Sequence, residues 1–205
     1  MNTYIQSMKN ALTSYYNTAK NYEEKVMQAK QRYQPDVAAE EIKKLDAALL
    51  GAKEDAMDAV KDAMDKGIEA ARRWGALDGN KINDGDWKLL KFDLSPEQFE
   101  AIVERNKTNG TMCFILKQYA EKHNREEATP GEYGLTGWLN PLIIPTVDEK
   151  IKAYNKFAES AIATIENMTG HGWGKGVGNP AIESSVKNFG TPNPMNYALL
   201  EALGG

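Results

Sequence analysis

One cysteine and two histidines in 205 residues set the first limits on this chain. A lone thiol, Cys113, cannot build an internal disulfide framework. With no HExxH or CxxC pattern, zinc-ligand spacing is missing as well. Long hydrophobic runs are also lacking. The longest run of branched aliphatic residues is Leu142-Ile143-Ile144, whereas a membrane-spanning helix needs roughly 20 apolar residues. Nor does one sign of charge prevail: the net charge is −4, and no segment gathers the Lys/Arg needed to neutralise phosphates, which argues against direct nucleic-acid binding. The N-terminus is polar and helix-patterned, with no secretory signal. The expected location is therefore cytoplasmic, and the Asn-x-Thr triplets at Asn106, Asn109 and Asn167 are not expected to carry glycans.

What the chain does have is heptad order. Ile5, Met8, Leu12, Tyr15, Ala19, Tyr22, Val26, Ala29 and Tyr33 form one apolar seam in strict 3-4 alternation. After Pro35 a second seam follows at Ala38, Ile42, Leu45, Leu49, Ala52, Ala56, Ala59 and Ala63. Folded at the proline, the two series pair at a constant residue-number sum of 71: Tyr33 with Ala38, Tyr22 with Leu49, Tyr15 with Ala56, Leu12 with Ala59. Large residues oppose alanines, which lets two helix axes approach closely. Residues 1–34 hold five Lys/Arg against two Glu, and 36–74 hold seven against ten Asp/Glu, a modest attraction that favours this register. Proline disfavours helix at the residue before it and is tolerated in a first turn. Residues 1–75 thus read as an antiparallel, coiled-coil-like helical hairpin. The alternative is one long helix kinked at Pro35 with its seam on a separate partner. Lys66 interrupts this seam, and Val60, Met64, Gly67, Ala71 and Trp74 form a second one rotated slightly around the axis, a stutter.

Glycines and asparagines make 76–94 a turn-rich connector, in which Trp87 to Phe92 could be a strand, a helical turn or an anchor. Residues 95–124 read as a capped helix pair. Ser95-Pro96-Glu97-Gln98 forms a capping box, and Leu94 and Phe99 have the spacing of a hydrophobic staple. Thr111 is the expected cap of the second member, which should bury Phe114, Ile115 and Tyr119. Residues 125–145 read as an extended apolar connector including Trp138. A third heptad helix spans 146–169, opened by a capping box at Thr146 and Glu149 and seamed by Val147, Ile151, Tyr154, Ala158, Ala161, Ile165 and Met168. Beside a hairpin, that seam makes a three-helix bundle. Residues 170–205, rich in Gly, Pro and Asn, read as an extended arm with Trp173, Phe189 and Tyr197 as anchors. The fold class expected is all-α.

Chemical motifs do not survive testing. With Gly85 as the sixth position of a calcium loop, the third would be Ile82 and the twelfth Lys91, so the oxygen ligands are missing. The Gly170–Gly178 stretch has no preceding strand, and Gly176 replaces the Ser or Thr that follows the lysine in a phosphate loop. Cys113 lies in an apolar first turn, the setting of an inert thiol. No catalytic, cofactor-binding or metal-binding residue is assigned. The interaction candidates are Trp138, Trp173, Phe189 and Tyr197.

Asp93 to Met112, with Leu94-Ser95-Pro96-Glu97-Gln98-Phe99 at one end and Asn109-Gly110-Thr111 at the other, followed by Leu116 and Tyr119 to His123, resembles a recurring segment of small helical proteins. These are encoded among the virion and head-assembly genes of phages and prophages of Gram-positive bacteria. The likeness covers about 30 of the 205 residues and carries no functional residue across. It implies a phage-encoded structural or assembly role, a self or capsid-type partner, homo-oligomers, and a place in the host cytoplasm or the virion. A soluble, stoichiometric inhibitor or adaptor of a host or phage protein is the alternative.

Overall fold

The computed structural model describes residues 2–127, 137–169, 176–194 and 196–204, and among them every regular element is helical. Helix α1 (Thr3–Arg32) starts at Asn2, whose side chain accepts from the Tyr4 amide, and ends with Lys30 and Arg32 in its last turn. Helix α2 (Pro35–Gly75) opens on its proline with Asp36 in the first turn. At 1.5 Å per residue these rods are about 45 and 62 Å long. They fold against each other as the mirrored seams require. Tyr4 and Gly67, whose numbers add to 71, both meet Tyr154, and the Tyr22 hydroxyl donates to Asp46 across the hairpin at 2.5 Å.

The short connection contains α3 (Asp84–Leu89), preceded by a 3-10 turn at Gly79–Lys81. Asp78 and Asn83, the residues of the calcium-like stretch, are side-chain caps of these two turns. The expected helix pair is α4 (Pro96–Asn106) and α5 (Gly110–Glu127), with the Ser95/Gln98 capping box in place and Leu94 and Phe99 both buried. Helix α6 (Val147–Met168) carries the Thr146/Glu149 box and lies along the hairpin. Its first turn meets Gly75, where an added Cβ would collide with Val147, and Tyr154 occupies the space a Cβ on Gly67 would need. Helix α6 is therefore antiparallel to α2 and parallel to α1. These three helices share one core with α7 (Pro180–Lys187) and α8 (Tyr197–Ala202). A second core joins α4, α5, Leu139 and Ile144.

Four expectations need correction. Within 176–204 the chain is not an extended arm. It forms α7 and α8, and Ile182, Val186, Phe189, Leu200 and Leu203 are buried in the main core. Their apolar spacing suffices because the bundle supplies the surface they cover. Of the alternatives for Trp87 to Phe92 the helical turn is the one found, as the end of α3, with Leu90 packed on the second core while Trp87, Leu89 and Phe92 are exposed. Ala59 faces solvent and Val60 takes its place, since α6 is a second neighbour and turns the buried stripe of α2 toward the space between two helices. Asn109, not Thr111, caps α5, accepting from the Met112 amide, while the Thr111 hydroxyl accepts from the Asp78 amide. As a result Met112, Cys113, Leu116 and Ala120 are the buried face and Phe114 is exposed.

Candidate interaction surface

The base of the molecule is closed by polar locks. Asp86, almost fully buried, accepts from Arg105 at 2.7 Å and from Asn106 at 2.6 Å. Burial pushes its carboxyl up, but the hydrogen bonds from Arg105 and Asn106 outweigh that and hold it below the usual range. Asn124 grips Leu139 by both backbone groups, at 2.7 and 2.9 Å. Trp74, at the end of α2, donates to Thr108 O and lies under the Lys150 ammonium, 4.5 Å from the ring centroid. Lys150 itself donates to Ala202 O at 2.7 Å, tying α8 to the start of α6. Burial raises the Cys113 thiol to about 11, so it is a protonated core group at neutral pH.

The opposite end is open. Gly67–Tyr154 and Gly75–Val147 place the last turn of α6, Met168, level with Lys53 of α2. The buried hydroxyl of Tyr15 lies beside Thr169, so the same level on α1 is close to residue 15. Beyond it, the hairpin continues for about 25–28 Å at 1.5 Å per residue with no third helix on its face among the described residues. There the seam between the rods becomes a groove of about 1040 Å³. Val26, Met27, Ile42, Leu49 and Leu50 supply apolar surface from the rods, Glu23, Lys30, Asp46 and Lys53 are the charges in it, and Met168, Thr169, Gly176, Gly178 and Asn179 line its inner end. Met27 is 61% exposed and Leu50 58%, while Tyr33 and Val37 are exposed at the turn. Ala29 and Ala38 keep the rods in contact up to that turn. The arrangement can seat a helix or helical pair of mixed charge, positioned where α6 would continue.

A second, smaller cleft of about 530 Å³ lies between α4, the Pro141–Ile143 turn, α6 and α8. Leu142 at its edge is almost wholly exposed, and Glu100, Glu104, Glu149 and Glu201 outnumber Lys107 and Lys152 around it.

Three of the four sequence-derived interaction candidates lie among the described residues, and they sit in different surroundings. Trp138 is 45% exposed next to the clamped Leu139. Trp173 lies outside the described residues, as does the glycine-rich stretch up to residue 175. Phe189 is buried against Phe157, ring centroids 5.7 Å apart, and anchors within the chain itself. Tyr197 is 61% exposed on α8, close enough to Lys107 to act on its charge. Sequence reasoning missed Met27 and Leu50, which sit off the heptad seam. The available signal was the doubled apolar pairs Val26-Met27 and Leu49-Leu50, each giving a seam residue an apolar neighbour on the flank. No protein family model, curated protein or solved structure matches this chain.

Proposed function

We propose that this chain is a non-enzymatic structural or assembly protein of the phage type, working through helix-to-helix contacts with copies of itself or with a capsid-type shell. The observation that supports it is the open half of the hairpin. Two rods run well past the helix that covers their base, and their apolar groove is left facing solvent. A monomeric protein gains nothing from such a surface, which costs solubility. The described part of the C-terminal segment is committed to the core, so the contacts proposed here are those of the hairpin. The working location is the host cytoplasm and the assembling particle. In prophage-induced Gram-positive cells carrying the tagged full chain, the protein should copurify with particles or assembly intermediates in fixed stoichiometry. Absence from both, with unchanged particle yield after deletion of its gene, would overturn the role.

A second reading, a stoichiometric adaptor for one host or phage protein, draws support from the acidic cleft beside α8, where exposed Leu142 offers an apolar anchor for a basic amphipathic segment.

A further inference from the structure

We infer that the open half of the hairpin is covered by the same half of a second copy, packed antiparallel about a two-fold axis near Val26 and Met27. The inference rests on the self-associating reading above and names its partner and register. The first support is steric. Helix α6 stands on the same face as the groove, about 10 Å high at an ordinary helix-packing distance. Two copies with their turns pointing the same way would be held apart by their α6 helices. With turns pointing in opposite directions, each open half lies on the other, and each Pro35 turn stops at the inner end of the other copy's groove, which Met168 and Thr169 of the α6 end line together with Gly176, Gly178 and Asn179. The face that α6 covers near the base is then covered distally by the second hairpin, so one continuous interface runs the length of the rods.

That stop sets the register without reference to charge. It brings Asp36 level with Lys53 of the second copy, because Lys53 marks the level of Met168. At the same offset Asp46 meets Lys43 of the second copy. Carried across to α1 by the pairing of the two rods, the offset sets Glu23 against Lys30 of the second copy and Val26 over Met27. Each charge contact occurs twice by symmetry, and each joins opposite signs. An isologous interface must be self-complementary in this way. In the register set by that stop the groove's charges Glu23, Lys30, Asp46 and Lys53 all find opposite signs, Asp36 and Lys43 coming from outside its lining, and Met27 finds an apolar partner.

The test uses the full chain in sedimentation equilibrium over a wide concentration range, together with single-label electron spin resonance distances. The wild type is expected to be dimeric. Glu23→Lys and Lys30→Glu should each weaken the dimer tenfold or more, and the double variant should restore it. A label on Lys25→Cys, with buried Cys113 unreactive, should report a short intermolecular distance. One on Lys66→Cys should report about 65 Å at 1.5 Å per residue. A monomer at every concentration, a dimer with distant Lys25 labels, no rescue in the double variant, or a different protein seated on the groove overturns the inference. A monomer that still enters particles leaves the assembly role standing. A dimer with these distances that never enters them removes the role and keeps the pairing.

Discussion

Single side chains hold this molecule together where helices end. Asp86 is the centre of one such point, since Arg105 and Asn106 at the end of α4 and Asn83, the cap of its own helix α3, all donate to it. Asp86→Ala leaves the buried Asn106 amide with only Ile102 O, and stability should fall by about 1–3 kcal/mol, read from denaturant midpoints. The folded pKa of Asp86 is depressed, so its contribution is present above the unfolded carboxylate range and is lost as pH falls through the folded value. Acid unfolding of the variant should accordingly be less steep below about pH 4. Ala56 is buried in the hairpin seam. Ala56→Leu costs little in helix propensity but overpacks the seam, at a cost of about 1–3 kcal/mol seen as a lower Tm. Tyr22 shows the opposite sign of pH linkage. Its hydrogen bond to Asp46, with burial and the neighbouring charges of Asp46 and Glu23 adding to it, raises the phenol from 10.0 to about 12. The bond's contribution is complete below pH 10 and disappears as pH rises through about 12. Burial also raises the phenols of Tyr15, Tyr119 and Tyr154, so an ultraviolet phenolate titration should show several late tyrosines, and Tyr22→Phe should remove one of them.

At the scale of elements, α7 and α8 carry the clearest expectation. Because Ile182, Val186, Phe189, Leu200 and Leu203 are buried in the main core, removing residues 176–205 should expose a strip of α1 and α6 and lower stability by more than about 2 kcal/mol, read by urea unfolding. Retained stability would show these helices to be ornaments on the bundle. Their burial was not legible in sequence. Helices of eight and six residues are too short to show periodicity or to stand alone, and exist because the bundle gives them a surface. The long seams and the boxes at Ser95/Gln98 and Thr146/Glu149 were legible because caps and heptads are local signals. Thr111 misled for the same reason: Asn109, two residues earlier, offers both a side-chain and a backbone acceptor and wins the helix start. The groove could not be found locally at all. Its existence depends on α6 ending level with Lys53, a length relation between segments more than a hundred residues apart.

For the whole molecule, chain order matters as much as shape. The hairpin comprises the first 75 residues and is closed by contacts between neighbours in sequence, so it can form early. Helix α6, which covers half of it, ends at Met168. At ordinary synthesis rates of about 5–20 residues per second, the hairpin therefore waits roughly 5 to 19 s before its own α6 is complete. For that interval the groove is open along its entire length, and chains growing side by side on one message are each other's nearest supply of α6. The late arrival of this helix makes exchange of α6 between siblings a kinetic hazard, greatest when the protein is made fast and in quantity.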